Sequence, residues 1–508
     1  MTRSDRLALL LSLLAVAAAW FVATRIYENI AHLEDEIAYV WQAELIADGQ
    51  LTTPTPAHAR SFLVPFVVDY RGQRFGKYPL GWPATLALGV MLGARGWVNP
   101  VLAGLGVWLT YRLGKKLLGE TVGLLAAGLT LTSPFFLMNS GSLLSHPLGL
   151  VLSAAFALAW LDLTGTPEPG EGRTPPWVHV LVAGLSLGGL ALTRPLTAAA
   201  IGVPFGLHGL ILLARGSWAT RRRVLAVGAL AVAVGALNLL WQYAVTGDPF
   251  FNLYTLWWDY DRLGFGPGVG VTESGHTLRQ GWINTRFSLR VGMGDLFGWG
   301  RLSWIFLPFG LLALLLRRNW RALLVSSVFP MLVVIYLAYW VGSWLFGPRY
   351  YYEGLYSVTI VSAAGIAFLA GWPLAPGEPW RSFNGWQKVR PLAVSAIVLL
   401  LAAGNLIYYT PLRLSGMHNL YGMERADLAP FLDAQEQGMT PALVIVHPDR
   451  WMEYGVLLEL QDTHLETPFI FVMSRGATAD EETAEDFPNR NVYHYYPDEP
   501  FKFYTAPK

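Results

Sequence analysis

The chain has 508 residues, of which 53% are hydrophobic and only 14% are charged. Soluble globular domains carry roughly 25% charged residues, so the composition excludes an ordinary soluble protein and indicates a polytopic membrane protein. A formal net charge of +1 without a basic stripe excludes a nucleic-acid-binding protein. The lack of cysteine excludes disulfides, thiolate metal sites and a cysteine nucleophile.

The first apolar run begins close to the N-terminus. Arg3 and Arg6 precede an uncharged segment from Leu7 to Thr24. A cleaved signal peptide has a shorter apolar core followed by small residues, whereas this run continues through AAAW, the one weak cleavage candidate. We therefore expect a retained first span with a cytoplasmic N-terminus.

Ten further apolar runs predict about eleven transmembrane helices in all. They lie at about 97–113, 120–138, 147–163, 178–195, 197–214, 224–245, 302–316, 322–340, 354–373 and 391–408. With this count, the basic loop clusters at 112–116, 215–223, 317–321 and 381–390 all fall on the side of the N-terminus. The positive-inside rule makes that side cytoplasmic, together with the Pro- and Gly-rich connector TGTPEPGEGRTPP. The sequence thus predicts an integral protein of the bacterial inner membrane.

The segment LGWPATLALGVMLG, residues 80–93, is apolar but too short for a span. Counting it as one would place Lys115 and Lys116 outside, so we expect it to lie on or dip into the outer membrane surface. Two outer loops follow from this topology, at about 28–96 and 247–301.

The predicted fold class is an all-α polytopic membrane protein with outer-face amphipathic helices and a small C-terminal α/β domain. The transmembrane module covers residues 1–408. The tail, 409–508, lies in the periplasm or outside the cell because the number of spans is odd. It alternates PALVIVH, TPFIFVMS and NVYHYY with a helical WMEYGVLLEL. A unit this small is expected to dock on the outer loops.

Three consecutive acidic residues, Glu34, Asp35 and Glu36, follow the first span in IAHLEDEIAYVWQ. From Ile37 onward the apolar positions recur at helical spacing, which predicts an amphipathic helix at the membrane interface. One interpretation of the acids is a helix N-terminus, where a carboxylate contributes about 0.3–1 kcal/mol. The other is catalysis, because a carboxylate beside apolar surface gains the basicity of a general base.

The acidic pair, the outer helix and the turn GKYPLGWP together resemble the GT-C superfamily of membrane glycosyltransferases. The resemblance is to the branch of protein O-mannosyltransferases and aminoarabinose transferases. It implies that Asp35 is the catalytic base and Glu36 a positioning or second acidic group. Relatives have Glu-Lys-Pro-Pro at the turn, of which Lys77 and Pro79 are matched here and the glutamate is replaced by Gly76.

The resemblance also implies the reaction. The donor is a sugar linked to a polyprenyl phosphate, and a hexosyl or pentosyl group moves to a hydroxyl or amine-bearing acceptor on lipid, glycan or protein at the outer face. The leaving phosphate needs cations, for which Lys77 and Arg349 are the candidates. Arg349 and Tyr350 stand in FGPRYYYEG, similar to a Gly-x-Arg-Tyr stretch of such enzymes. Membrane anchoring remains the alternative role for both cations.

Other residues have two possible roles, one in the membrane interface and one in substrate binding. Arg194 in ALTRPL is a snorkelling arginine or a contact to the donor. The aromatic cluster YTLWWDYDRLGF marks a membrane interface, or else Trp258 stacks on a sugar whose hydroxyls bond Asp259 and Asp261. His276 is a further substrate-binding candidate.

A divalent metal cation is a cofactor that the sequence leaves open. His32, His146 and His276 all fall near the outer side and could join Asp35 or Glu36 around it. None of these histidines is paired at a diagnostic metal-ligand spacing.

Two other functions remain open. A transporter or flippase of lipid-linked glycans would place ionisable residues in mid-span and often repeat its halves. Here the span interiors are almost free of charge and no repeat is visible, which favours surface chemistry. A ligase of lipid-linked glycans shares the donor class and is distinguished by the donor it consumes.

Overall fold

The computed structural model describes residues 2–165, 175–380, 382 and 384–508. The predicted connector TGTPEPGEGRTPP and the basic residue Arg381 lie wholly or mostly outside this part of the chain. The first helices are α1 (Arg3–Arg25), α2 (Glu34–Ala47), α3 (Gly81–Met91), α4 (Val98–Leu118), α5 (Glu120–Leu131), α6 (Pro134–Gly141) and α7 (His146–Thr164).

The next helices lie between residues 176 and 370. They are α8 (Pro176–Thr193), α9 (Pro195–Arg215), α10 (Trp218–Gly235), α11 (Leu237–Thr246), α12 (Leu278–Asp295), α13 (Leu307–Leu316), α14 (Trp320–Ser326), α15 (Val328–Ile335) and α16 (Leu355–Ala370). The last helices are α17 (Val389–Gly404), α18 (Thr410–Ser415), α19 (Ala429–Glu436), α20 (Trp451–Gly455) and α21 (Ala477–Glu485).

Within the described residues, 8 helices are long and apolar enough to cross a membrane, or up to 10 if each of two bent pairs is one span. The bends are 60° between α5 and α6 and 100° between α12 and the segment Gly300–Leu316. Every predicted apolar run falls on a helix, as expected for a backbone that must satisfy its own hydrogen bonds in lipid. The total of eleven crossings stays a prediction.

The short apolar segment at 80–93 forms α3, an 11-residue helix that packs against α2. The neighbouring helix α2 differs from the expected amphipathic interfacial helix. Its buried residues include positions on every side, from Glu36 to Ala43 without a break. It is covered because α3 packs on it and because the C-terminal unit, with Gly455 next to Ile37, packs on it as well.

A small antiparallel sheet forms the centre of the first outer loop. Its strands are β1 (Thr53–Pro54), β2 (Val67–Tyr70) and β3 (Gln73–Gly76), in the order β1-β3-β2. The β2–β3 hairpin turns at Arg71 and Gly72, which have φ of 52° and 76°. Consecutive positive φ values are those of a two-residue type I′ turn. Lys77 directly follows β3, and its N–H bonds the carbonyl of Phe66 at 3.0 Å.

The C-terminal unit contains a four-stranded sheet, as its sequence predicts. The strands are β4 (Ala442–Val446), β5 (Phe469–Met473), β6 (Asn491–Tyr495) and β7 (Phe503–Tyr504), in the order β5-β4-β6-β7. The pairs β4–β5 and β4–β6 are parallel, and β7 is antiparallel to β6. The unit docks on the first outer loop, where Met473 N–H bonds Ser61 O at 2.8 Å and Arg95 pairs with Glu459.

Candidate active site

Asp35 is the second residue of α2 and lies at the positive end of its helix dipole. The Tyr78 hydroxyl donates to Oδ1, and Arg349 Nη2 lies 3.3 Å from Oδ2. Burial raises the pKa of the Asp35 carboxyl, but Arg349 and Tyr78 together outweigh it and leave the pKa below its usual value. Its side chain is still 23% exposed. Asp35 is therefore an ionised, oriented carboxylate that a ligand can reach.

Lys77 is buried in a cage of aromatic rings next to this carboxylate. Its Nζ lies 3.9 Å from the Phe66 ring centroid and 4.9 Å from that of Trp258. Aromatic faces stabilise a cation that has lost its water. Burial nevertheless lowers the pKa of Lys77, and Asp261 partly restores it. The cage holds one desolvated cation beside Asp35, whose pKa it helps to lower.

Asp261 holds Lys77 in this position. Its Oδ2 lies 3.2 Å from Lys77 Nζ, and its Oδ1 accepts from Trp340 Nε1 at 3.1 Å. The backbone around Asp261 is fixed, because its N–H bonds Trp258 O at 2.9 Å and its carbonyl accepts from Asn252 Nδ2 at 2.8 Å. The second outer loop therefore supplies the counter-ion of a lysine from the first.

Arg194 lies in a second, closed cluster between α8 and α9. Its Nε is 3.0 Å from Glu353 Oε1, and its Nη2 donates to the Tyr336 hydroxyl at 3.1 Å. The same Glu353 oxygen is 3.0 Å from His146 Nδ1. Glu353 is 0% exposed, and its Oε2 has no hydrogen-bond partner among the described residues. The Glu353 carboxylate of this inner cluster is therefore not accessible to solvent.

Tyr336 and Tyr350 connect the inner cluster to Arg349. Their rings stack at 5.0 Å between centroids with 15° between planes. Tyr350 follows Arg349 in the chain, and the Arg349 guanidinium lies 5.8 Å from the Tyr350 centroid. The predicted residues Arg194, Arg349 and Tyr350 thus belong to one contiguous wall.

Glu36, the other half of the acidic pair, points away from Asp35 into the protein. Its Oε2 accepts the N–H groups of His32 at 2.9 Å and Leu33 at 3.1 Å, and its Oε1 accepts that of Leu143 at 2.7 Å. The side chain is buried, and burial raises the pKa of Glu36 to about 7 despite these donors. The contacts are those of a residue that fixes the start of α2.

Two of the predicted residues, His276 and Asp259, form no hydrogen bond or ion pair with Asp35, Lys77 or Arg349 in the described part of the chain. His276 Nε2 bonds Leu337 O at 2.9 Å, and its ring stacks on Phe265 at 5.3 Å. Asp259 is exposed, and its backbone carbonyl accepts from Arg262. Its neighbour Trp258 does belong to the Lys77 cage.

The histidines suggested for a metal ion have separate partners. His32 Nδ1 lies 3.1 Å from Ile30 O, and His146 pairs with Glu353. In the described part of the chain, no group of three or more His, Cys, Asp or Glu side chains is arranged to hold a metal ion.

Sequence reasoning missed four residues of this region or gave them another role. Tyr78 and Tyr336 were not selected, and Glu353 was passed over although it stands in the same motif as Arg349. Asp261 was considered only with Asp259 as a partner for sugar hydroxyls. Aromatic residues next to motif residues, such as Tyr78 after Lys77, were the available signal.

Comparison with known proteins gives the fold. No family model and no curated protein matches the chain. A crystal structure of ArnT from Cupriavidus metallidurans bound to undecaprenyl phosphate matches with a TM-score of 0.59 and 14% identity, covering 96% of this chain and 89% of that one. The archaeal oligosaccharyltransferase AglB from Archaeoglobus fulgidus, in complex with an inhibitory peptide and a dolichol-phosphate, matches with a TM-score of 0.53 and 14% identity, covering 95% and 69%.

At these identities the likeness is one of fold, and it extends over nearly the whole chain. The predicted resemblance is confirmed at this level: the chain has the fold of the GT-C membrane glycosyltransferases.

Proposed function

We propose that this protein is a glycosyltransferase that uses a polyprenyl-phosphate-linked sugar at the outer face of the membrane. The observation that carries the proposal is the reachable carboxylate of Asp35, which is held by Tyr78 and lies between the cations Arg349 and Lys77. The fold likeness supports it, because ArnT is bound to undecaprenyl phosphate and AglB is in complex with a dolichol-phosphate.

The charges of the site fit such a donor. Asp35 pairs with Arg349, and Asp261 with Lys77, so the four side chains are neutral together before a substrate binds. A donor phosphate adds one negative charge between the two cations. Arg349 offers a planar fork and Lys77 a compact charge, both suited to a phosphate. When Arg349 turns to the phosphate, Asp35 loses a stabilising partner and becomes a stronger base.

The reaction follows from these roles. Asp35 accepts the proton of an acceptor hydroxyl, whose oxygen forms a bond to the anomeric carbon. The bond from that carbon to the phosphate oxygen breaks, and polyprenyl phosphate leaves with the electron pair. Arg349 stabilises the charge on the leaving phosphate by direct contact, and the buried Lys77 ammonium stabilises it at longer range through its charge. Trp258, 36% exposed and stacked on Tyr260 at 6.0 Å, offers a face for the sugar ring.

Asp35→Asn tests this function. Because general base catalysis contributes about 10²–10⁴-fold, we expect the initial rate of sugar transfer to fall by about 1,000-fold. The assay uses full-length protein in liposomes with a radiolabelled monosaccharide polyprenyl phosphate, and an oligosaccharide-lipid donor in parallel to identify a ligase. Asp433→Asn, an exposed acid on α19 of the C-terminal unit, is the matched control. A folded Asp35→Asn protein with wild-type activity would overturn the proposal.

A further inference from the structure

Helix α12 is nearly perpendicular to the apolar segment that follows it in the chain. It meets the apolar segment Gly300–Leu316 at 100°. Membrane-spanning helices tilt on average by about 20° from the bilayer normal, so a helix at this angle to one of them runs nearly in the membrane plane. Its own composition fits an interfacial helix, since arginines alternate with large apolar residues in LRQGWINTRFSLRVGMGD.

One side of α12 is fixed to the protein. Asn284 Nδ2 donates to Trp340 O at 2.9 Å, and Ser288 Oγ accepts the Ser343 N–H at 3.1 Å. Gly281 is packed so closely that a side chain there would collide with the carbonyl of Leu337. These contacts between α12 and the backbone of residues 337–343 fix the rotation of the helix, and therefore determine which residues lie on its opposite side.

That opposite side presents three arginines. Arg279, Arg286 and Arg290 are all exposed. Their spacings of seven and four residues place them within about 40° of one another around the helix axis, in a single row. They are flanked on both sides by exposed apolar side chains: Leu278, Trp282, Ile283 and Phe287. We call this row the arginine stripe.

The charges of the arginine stripe are not balanced by carboxylates of the described residues. Within the described ranges of the chain, none of its three guanidinium groups forms an ion pair with a carboxylate. The one acidic residue of α12, Asp295, is buried and occupied by Arg413 at 2.9 Å. Three exposed positive charges are thus uncompensated by the described residues, and the exposed Trp282 and Phe287 beside them are of the types suited to the boundary between headgroups and acyl chains.

We propose that the arginine stripe binds the phosphate groups of anionic phospholipids in the leaflet that α12 contacts. Charge complementarity identifies the occupant, since an anionic headgroup supplies the missing counter-charge while its acyl chains cover the apolar flanks. Guanidinium groups bind phosphate in a planar, bidentate manner. A soluble anion would satisfy the charge but leave the apolar flanks uncovered, so the fit is to a lipid.

The bound lipids would lie close to the candidate active site. Asn284 of α12 holds the backbone of Trp340, and the Trp340 indole donates to Asp261, the partner of Lys77. The arginine stripe therefore anchors to the bilayer the same helix that supports this arm of the site. Lipid binding itself does not depend on the proposed sugar transfer.

The experiment measures lipid binding to purified full-length protein by native mass spectrometry. The protein is offered phosphatidylglycerol and phosphatidylcholine with identical acyl chains at equal concentration. Each basic residue near an anionic surface adds up to about fivefold in affinity, so we expect wild type to prefer phosphatidylglycerol by about 10- to 100-fold. The variant Arg279→Gln/Arg286→Gln/Arg290→Gln should lose this preference, and the corresponding triple Lys variant should keep part of it because it keeps the charge.

A matched control removes the same charge elsewhere. Arg425→Gln/Arg450→Gln/Arg475→Gln changes three exposed arginines of the C-terminal unit, away from the apolar helices, and should bind phosphatidylglycerol like wild type. The single variant Arg286→Gln should give a smaller loss and serves if the triple variant does not fold. The proposal is overturned by a wild type without preference, by unchanged preference in the Gln variants, by equal loss in the control, or by displacement of the lipid with inorganic phosphate.

Discussion

Two arginine–carboxylate pairs of this protein have the same chemistry and opposite accessibility. In the outer pair, Asp35 and Arg349 are 23% and 18% exposed. In the inner pair, Glu353 and Arg194 are 0% and 14% exposed, and Glu353 also contacts His146. A reacting group must touch its substrate, so only the outer pair is suited to chemistry. A short arginine–carboxylate ion pair does not by itself identify an active site.

The buried inner pair stabilises the position of the outer pair. Arg194 donates to the Tyr336 hydroxyl, and the Tyr336 ring stacks on Tyr350, next to Arg349. A rigid inner cluster therefore limits the positions of the arginine that faces Asp35. Variants in the outer site should change rate, whereas variants in the inner cluster should change stability first.

Lys77→Met should have the largest effect after Asp35→Asn. It removes a buried positive charge close to the donor phosphate. At an effective dielectric constant of about 20, opposite charges roughly 8 Å apart attract by about 2 kcal/mol, so kcat/KM should fall by about 10- to 100-fold. The exposed lysine variant Lys388→Met is the matched control.

The pH profile sharpens this prediction. Because burial lowers the pKa of Lys77, wild-type kcat/KM should be highest below that pKa and fall as the pH rises through a value under 10.5. Lys77→Arg stays protonated and should lose this alkaline limb. An alkaline limb that persists unchanged in Lys77→Arg would assign it to another group and remove Lys77 from donor binding.

The fold was largely predictable because a lipid bilayer permits few backbone structures. An uncharged run in a bilayer must be helical to pair its own N–H and C=O groups, and each predicted run is on a helix. The burial of α2 was not predictable from local periodicity. Its cover includes Gly455 and Glu459, more than 400 positions further along the chain, where Glu459 Oε1 accepts the Ala31 N–H.

The site was predictable where a motif carried it. Asp35, Lys77 and Arg349 were chosen from motif resemblance, and the structure places them together. Asp261 was not recognised as the counter-ion of Lys77, since the pair is separated by 184 positions and no spacing rule connects them. Adjacency in the sequence does not bring the two acidic side chains together, because the Glu36 side chain points into the protein and accepts the Leu143 N–H.

Glu353→Gln should show that the inner pair serves stability. The change keeps the shape of the side chain but leaves the Arg194 charge buried without its carboxylate, which costs about 3–5 kcal/mol. We expect a lower thermal unfolding midpoint in detergent and a loss of activity that follows the folded fraction. Replacing both partners, with Arg194→Met and Glu353→Leu, should recover much of this stability. A stable Glu353→Gln protein with strongly reduced kcat would instead place Glu353 in the chemistry.

Glu36→Gln should have the smallest effect on the rate but should lower stability, because the Gln amide nitrogen cannot accept the backbone N–H groups that one Glu36 oxygen accepts. The pH dependence of this variant distinguishes the two acids of the pair. Burial raises the pKa of Glu36 from 4.5 to about 7, so the unfolded chain loses this proton first. Stability from this group is complete below pH 4.5 and decreases as the pH rises to about 7, by about 3 kcal/mol. The Gln variant cannot ionise and should lack this decrease.

The rate should behave differently from the stability. The lowered pKa of Asp35 keeps this base ionised above about pH 4, so kcat/KM should show no acid limb between pH 5 and 7 once the folded fraction is taken into account. A base with the pKa of Glu36 would produce a rise near pH 7 that disappears in Glu36→Gln. Finding that rise would transfer the catalytic role from Asp35 to Glu36. Its absence, together with the pH-independent stability of the variant, would confine Glu36 to fixing the start of the helix that presents Asp35.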